Sequence, residues 1–241
     1  MTFVAFGIHT VSNLINSPYF TFKKIILLEN RDNKSLINSI ETKKIPYQIL
    51  NRVDFSRYNF DKKNQGIVAF IKEYLYVDLP FIINKKIKNK FPCLVMLDRI
   101  EDPHNFGAIL RTCAAFSVDG IIIANKNQVP INNTVVKIST GGVAYVPVCQ
   151  VNNLLEAINE LKKANYQIIS AICNPESQAL DKFNFNFPIC LIFGNEHEGI
   201  KSSIVKKSEG IYIPVEKNIG SLNVSVSCGI VLAWVSDKIK K

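Results

Sequence analysis

Beyond residue 90 the chain repeats one pattern. A short unbroken apolar run gives way to polar residues, then to a helical stretch, then to another apolar run. Cys93–Leu97, Gly120–Ala124, Gln167–Ile172 and Ile189–Phe193 are the apolar runs, and Ile211–Pro214 is a shorter one ending at proline. Helical patterns occupy His104–Phe116 and Leu154–Ala164, and Val224–Ile239 is a long, largely apolar helix. Apolar runs without polar alternation suit strands buried on both faces, and strands that alternate with helices pair in parallel. The predicted fold class is α/β, a parallel sheet covered by helices on both faces.

The first 70 residues read as a separate small α/β unit. Val11–Ile15 and Ser35–Thr42 have helical patterns, and Lys24–Leu28, Tyr47–Leu50 and Gln65–Phe70 read as strands. Residues 76–90 change character: Asp78-Leu79-Pro80 is followed by Lys85, Lys86, Lys88 and Lys90. That segment reads either as an inter-domain linker or as a lysine-rich helix. The expected organisation is a unit over 1–75, a linker over 76–90 and a larger unit over 91–241. No internal repeat or low-complexity segment stands out.

Charge narrows the partners. The chain has 47% apolar and 20% charged residues and a net charge of +9, which excludes a disordered or fibrous chain. Residues 1–90 carry 15 Lys/Arg against 7 Asp/Glu, whereas residues 91–241 carry 14 against 13. A concentrated basic excess fits a polyanion, either nucleic acid or an anionic membrane surface; solvated surface lysine is the other reading. No apolar run approaches the roughly 20 residues that span a bilayer, and the first residues lack the charged segment and cleavage site of a secretion signal. Cys93, Cys113, Cys149, Cys173, Cys190 and Cys228 are scattered singly, and five have apolar neighbours. They read as small buried side chains of a reducing compartment, so a cytoplasmic protein is expected. His9, His104 and His197 are far apart in sequence, and no metal site is expected.

Three segments depart from ordinary core and loop sequence. Leu97-Asp98-Arg99-Ile100-Glu101-Asp102-Pro103-His104-Asn105-Phe106-Gly107-Ala108-Ile109-Leu110-Arg111 leaves a buried strand and opens a helix, where α/β proteins commonly place ligands. Asn105 and Arg111 are six residues apart, about 240° around a regular helix, so they share a cleft only if the first turn is irregular. A capped helix start with a solvated arginine explains the same residues. Gly194-Asn195-Glu196-His197-Glu198-Gly199 follows an apolar strand and suits a loop wrapped round a ligand, or a tight turn that needs two glycines. Ser221, Asn223, Ser225 and Ser227 gather at a helix start, more small polar residues than one cap requires. Ser139-Thr140-Gly141-Gly142 is a small-residue turn that says little alone. Neither a P-loop nor a dinucleotide glycine fingerprint is present.

Taken in order, these segments resemble the motifs of the SpoU (TrmH-type) RNA ribose 2′-O-methyltransferases, with the branch acting on a guanosine of 23S ribosomal RNA the most similar. Asp102-Pro103-His104-Asn105-Phe106-Gly107-Ala108-Ile109-Leu110-Arg111, Gly194–Gly199, and Ile213-Pro214 with Ser221-Leu222-Asn223-Val224-Ser225 carry the resemblance. It covers residue 91 to the C-terminus, and more loosely the first 70 residues through Gly7-Ile8-His9 and Gln65-Gly66-Ile67. The resemblance implies a knotted, SPOUT-type parallel-sheet methyltransferase domain behind a small α/β RNA-binding domain. It implies S-adenosylmethionine as methyl donor, RNA as substrate, no membrane, no metal, and a homodimer. By position, Asn105, Arg111, Glu196, Ser221 and Asn223 become the expected catalytic residues. Gly194, Ile213 and Leu222, with Thr140 and Gly141 at the border, become the expected cofactor-binding residues. Transfer RNA is the alternative substrate, and a non-catalytic RNA-binding or ribosome-assembly factor is the alternative of another class.

Overall fold

The computed structural model describes residues 3–29, 33–58, 64–84, 92–216 and 221–240, with side chains to residue 238. Lys85, Lys86, Lys88 and Lys90 of the basic segment lie outside the described residues. In chain order the first elements are β1 (Phe3–Phe6), α1 (Ile8–Asn16), β2 (Phe20–Leu28), α2 (Lys34–Thr42), β3 (Tyr47–Leu50), α3 (Arg52–Phe55), a 3-10 turn (Ser56–Tyr58) and β4 (Ile67–Tyr74). Next come α4 (Leu79–Asn84), β5 (Cys93–Asp98), α5 (Pro103–Ala115), β6 (Gly120–Ala124), α6 (Asn133–Ile138) and a 3-10 turn (Gly142–Ala144). The remainder is β7 (Val148–Val151), α7 (Leu154–Lys163), β8 (Gln167–Ala171), β9 (Gln178–Ala179), β10 (Ile189–Gly194), α8 (Ser202–Val205), β11 (Glu209–Tyr212) and α9 (Val224–Lys240).

The chain divides into two compact units. One comprises residues 1–75 and 131–145, the other 76–130 and 146–241. The first holds a four-stranded sheet in the order β1-β4-β2-β3, antiparallel except for the parallel β2–β3 pair. One helical layer buries Val11, Leu14 and Ile15 of α1 and Leu36 and Ile40 of α2. Ile26 and Val68 form a second small core with Phe55 of α3. The Val4 N–H donates to Asn133 Oδ1 at 2.8 Å, which fastens β1 to α6. That tie crosses 129 positions of sequence, so no local pattern announces that residues 131–145 belong here.

The second unit holds a seven-stranded, all-parallel sheet in the order β7-β6-β5-β10-β8-β11-β9. Its interior strand β5, Cys93-Leu94-Val95-Met96-Leu97-Asp98, is buried throughout, as a strand covered on both faces must be. Leu94, Met96, Ile122, Cys190 and Ile192 pack with Leu79 and Ile82 of α4, Ala157, Ile158 and Leu161 of α7, and Ile204 of α8. Alternate strand residues such as Val95, Leu97, Leu191 and Phe193 point to the other face. There α5 and α9 pack on each other, burying Phe106, Ile109, Leu110 and Cys113 against Cys228, Val231, Leu232 and Val235. Asp102 caps α5 by accepting from the His104 N–H at 2.8 Å, and Pro103 takes the first helical position, where its missing N–H costs nothing.

The α/β class and the parallel sheet agree with the sequence pattern, and the helix of motif one begins within a residue of its expected start. Several elements escape that pattern, α3, α6, α8 and β9 among them, and three others bear on the architecture. The edge strand β7, Val148-Cys149-Gln150-Val151, is short and half polar-facing. The strand β1 sits at a sheet edge beside an unremarkable N-terminus. The basic stretch opens with an ordered portion: the Val77 N–H donates to Val148 O at 3.0 Å, and α4 buries Leu79 and Ile82 in the core of the second unit. Five of the six cysteines are buried and Cys173 is exposed. Burial pushes the Cys149 thiol up to about 12, with a smaller push from Asp78 and Glu160. Such thiols act as apolar filling.

The core makes a direct expectation. Ile122→Ala, at a fully buried position of β6, costs about 2–5 kcal/mol, whereas Val53→Ala, at a residue 76% exposed, stays within about 0.5 kcal/mol. Guanidinium denaturation curves of the two variants check the contrast.

Candidate active site

The three sequence segments meet in the second unit through one buried amide. Asn105 lies in the first turn of α5, 8% exposed. Its Nδ2 donates to Glu196 Oε1 at 2.7 Å. Its Oδ1 accepts from Asn223 Nδ2 at 3.0 Å. A primary amide is one of the few side chains that can donate to a carboxylate and accept from a second amide at once. Motifs 91 and 118 residues away are thereby joined by a single group.

Each partner is held from its own side. Asn223 occupies the N-cap of α9, and its Oδ1 accepts from the Ser225 N–H at 2.9 Å and the Ser225 Oγ at 2.6 Å. Capping and site membership are thus the same residue's two ends. Glu196 is half-buried in a tight turn at the end of β10. Asn195 shapes that turn: its Oδ1 accepts from the N–H groups of His197 and Glu198 at 2.9 and 3.0 Å. Asn195 and Gly199 also exchange backbone hydrogen bonds of 3.1 and 3.0 Å. Gly199 takes φ +68, and an added Cβ at Gly194 would lie 2.4 Å from the Gly199 carbonyl carbon and the Ile200 nitrogen. Glycine is required at 194 because the chain crosses itself there at backbone contact distance.

Three residues that the sequence pattern leaves without a role brace this turn: Asp98, Arg99 and Asn195. Asp98 is 1% exposed and accepts from the Lys201 N–H at 2.8 Å and from Arg99 Nε at 3.3 Å. Arg99 also donates to Glu198 and to Gly199 O, the latter at 3.2 Å. Burial draws the Arg99 pKa down, but hydrogen bonds and charge from Asp98 and Glu198 outweigh it and leave the guanidinium above its ordinary value. It is a fixed cation. Nothing in one sequence distinguishes this arginine from a surface one.

The other expected residues fall differently. Arg111 lies on α5 with Asn105 but is exposed and makes no hydrogen bond or ion pair among the described residues. The helix is regular from Pro103 to Ala115, so the angular separation read from the spacing holds and the two side chains do not meet. Ser221 is exposed and makes no hydrogen bond among the described residues. Gly194, Ile213 and Leu222 are half-buried, and the backbone groups of Ile213 and Leu222 have no partner among the described residues. Thr140 and Gly141 lie in the segment that packs with the first unit: Gly141 has φ +86 beside Asn13, and Thr140 is exposed.

The amide, the carboxylate and the second amide meet at the carboxyl ends of strands in a parallel α/β sheet, where such sheets commonly place ligands. Comparison with known proteins gives the family. The SpoU rRNA Methylase family model matches residues 92–233, and the RNA 2′-O ribose methyltransferase substrate-binding model matches residues 4–77. An uncharacterized tRNA/rRNA methyltransferase of Mycoplasma genitalium is 41% identical over 234 residues, covering 95% of each chain. A protein of Staphylococcus haemolyticus, assigned to the TrmH family of tRNA/rRNA methyltransferases, is 34% identical over 240 residues, 98% of this chain and 95% of its own. Among solved structures, the AdoMet-bound rRNA methyltransferase from Sinorhizobium meliloti superposes with TM-score 0.82 at 22% identity, covering 98% of this chain and 87% of that one. The SpoU methyltransferase AviRb from Streptomyces viridochromogenes gives 0.81 at 18% identity, over 99% and 90%. The chain belongs to the SpoU methyltransferase family.

The turn carries its own test. Gly194→Ala forces backbone apart and costs about 1–3 kcal/mol, a fall in Tm of about 2–12 °C for a chain of this size. Gly199→Ala meets no atom within 4 Å and bears only the left-handed backbone cost of about 1–2 kcal/mol. Melting curves by circular dichroism should rank Gly194→Ala as the more damaging.

Proposed function

We propose that this protein transfers a methyl group from S-adenosylmethionine to a ribose 2′-hydroxyl of ribosomal RNA, on a guanosine. The observation that carries the reading is the Glu196–Asn105–Asn223 chain, which draws all three motifs into one polar cluster. The backbone groups of Ile213 and Leu222, without a partner among the described residues, and the tight Gly194 turn fit an adenosine that takes hydrogen bonds from main chain. S-adenosylmethionine supplies a sulfonium-bound methyl; the rest of the work falls to this chain and its RNA.

Much of the barrier to such a transfer is entropic, and holding two reactants in register lowers it by several kcal/mol. Asn105 fixes Glu196 by donating to one carboxylate oxygen, and Glu196 Oε2 has no partner among the described residues. That oxygen is placed to accept a donor from substrate, with the ribose hydroxyl as the candidate. Arg111, exposed and without a partner among the described residues, grips a target phosphate through its planar fork and orients the nucleotide. Ser221 and Asn223 complete the polar wall. Thr140 and Gly141, the residues expected at the border of the cofactor site, fall in the first unit.

The first unit grips folded RNA through phosphates and shape, consistent with its 12 Lys/Arg against 6 Asp/Glu over residues 1–75 and 131–145. The knot and the homodimer, which the family resemblance implies, and the cytoplasmic location expected from the scattered single cysteines complete the reading. Transfer RNA remains the second substrate, favoured by one observation: the names of the relatives in Mycoplasma and Staphylococcus cover both RNAs.

Labelled-methyl transfer to unmodified ribosomal RNA and to bulk transfer RNA, side by side, tests the proposal. Signal on ribosomal RNA, with alkali-resistant dinucleotides in the digest, is the expected result. Signal on transfer RNA alone would move the substrate to the second reading, and alkali-labile product would refute ribose methylation. Asn105→Ala should lower kcat by about 10²-fold or more, the scale for losing one preorganised donor.

Salt gives a further check on the gripping role. The logarithm of RNA affinity should fall linearly with the logarithm of salt concentration, by about 0.7 per phosphate contacted on single-stranded segments. A flat response in a filter-binding titration would remove the phosphate grip.

A further inference from the structure

Arg99 stands between motif one and the turn of motif two, in a conformation that needs explaining. It leaves β5 with φ 62, in the left-handed region where a side chain is disfavoured and glycine is the ordinary occupant. Strain of this kind persists only where surrounding contacts hold it, and such positions gather at functional sites. The contacts are present. The side chain is only 14% exposed. Its Nε and Nη2 donate to the two oxygens of Asp98 at 3.3 and 3.4 Å, Nη2 donates also to Gly199 O at 3.2 Å, and Nη1 donates to Glu198.

The main chain of the same residue holds the other end of the turn. Asn195 Nδ2 donates to Arg99 O at 2.8 Å. Asp98, the anchor of the guanidinium, accepts in addition from the Lys201 N–H just beyond the turn. Residues 98 and 99 therefore fasten the 195–199 turn at its start, at its end and at its exit. The one side chain of that turn aimed at the cluster is Glu196, hydrogen-bonded to Asn105.

We propose, on the methyltransferase reading given above, that Arg99 is a positioning residue for methyl transfer. It touches neither substrate nor cofactor. By forking between Asp98 and the Glu198-Gly199 corner it sets where the Glu196 carboxylate stands. The left-handed backbone aims the arginine inward across the turn, and so the strained conformation serves the clamp. Lysine cannot replace it, because an ammonium donates from one point and cannot match a planar fork whose Nε and Nη2 bond both oxygens of Asp98 while Nη1 and Nη2 reach Glu198 and Gly199 O. The exposed limb matters least, since Glu198 is 70% exposed and water competes for that pair.

Arg99→Lys is the variant of choice, since it keeps a cation beside the buried Asp98 and so keeps the fold. A misplacement of about 1 Å can cost about 10²-fold in rate, and kcat under saturating S-adenosylmethionine and RNA is expected to fall at least ten-fold, with KM for RNA unchanged. Glu198→Gln should cost no more than two- to three-fold. Hydrogen exchange at the His197 and Glu198 amides, both bonded to Asn195 Oδ1, should quicken in Arg99→Lys while the melting temperature holds within a few degrees. A residue that merely stabilised the fold would leave kcat intact well below the melting temperature. Unchanged exchange at these amides would overturn the clamp, and quickened exchange with unchanged kcat would overturn the positioning role. Wild-type protein that transfers no methyl to either RNA would instead overturn the reading on which the role rests, a result that the exchange measurement separates from failure of the clamp.

Discussion

The site depends on one hydrogen-bonded amide that spans two partners, one on its nitrogen and one on its oxygen. Asn105 is buried, donates to Glu196 and accepts from Asn223. A buried polar group left unpaired costs about 1–3 kcal/mol, so each of the three segments holds the other two to their positions. The helix start of α5, the turn after β10 and the cap of α9 are far apart in sequence, and each has its own local reason to form. Asp102 caps the first, glycines permit the second, and Asn223 caps the third. Once formed, they present three complementary groups that satisfy one another. Local structure and site assembly point the same way, which is the condition for a chain to fold to one answer.

The sheet was legible because its strands are buried on both faces. Cys93–Leu97 and Ile189–Phe193 are apolar along their whole length, and only a central parallel strand asks for that. The first unit was harder to read. Its sheet is largely antiparallel, and β1, Phe3-Val4-Ala5-Phe6, is a four-residue edge strand whose partner β4 lies more than sixty residues on. Residues 131–145 were not assignable at all, because they join that unit by a side chain–backbone bond spanning 129 positions. Periodicity reports the burial of one element and carries no information about which unit buries it.

The site shows the same division. Asn105 and Asn223 stood out as polar residues at helix starts, and cap and cleft were competing explanations for each. The structure makes the competition false for Asn223, whose oxygen caps α9 while its nitrogen serves Asn105. For Arg111 the helix period was decisive. Six residues place it well round the axis from Asn105, and α5 has no irregular turn to bring it back. Ser225 looked like a surplus polar residue and is spent on Asn223. Arg99 was silent, because its meaning lies in a backbone angle and in acceptors a hundred residues away.

Charge is distributed along the chain in a way that suits this chemistry. Residues 91–241 are almost balanced, with 14 basic and 13 acidic side chains, while residues 1–90 hold the excess. Two of those acids, Asp98 and Glu198, are engaged by Arg99, and Glu196 is engaged by an uncharged amide. That difference has a consequence. A carboxylate paired with a guanidinium has its charge answered and attracts little else, whereas a carboxylate fixed by a neutral amide keeps its full charge and a free oxygen. Had Asn105 been a lysine or arginine, Glu196 would be held as firmly but its charge would be answered inside the protein. A neutral amide fixes the position of the carboxylate without answering its charge.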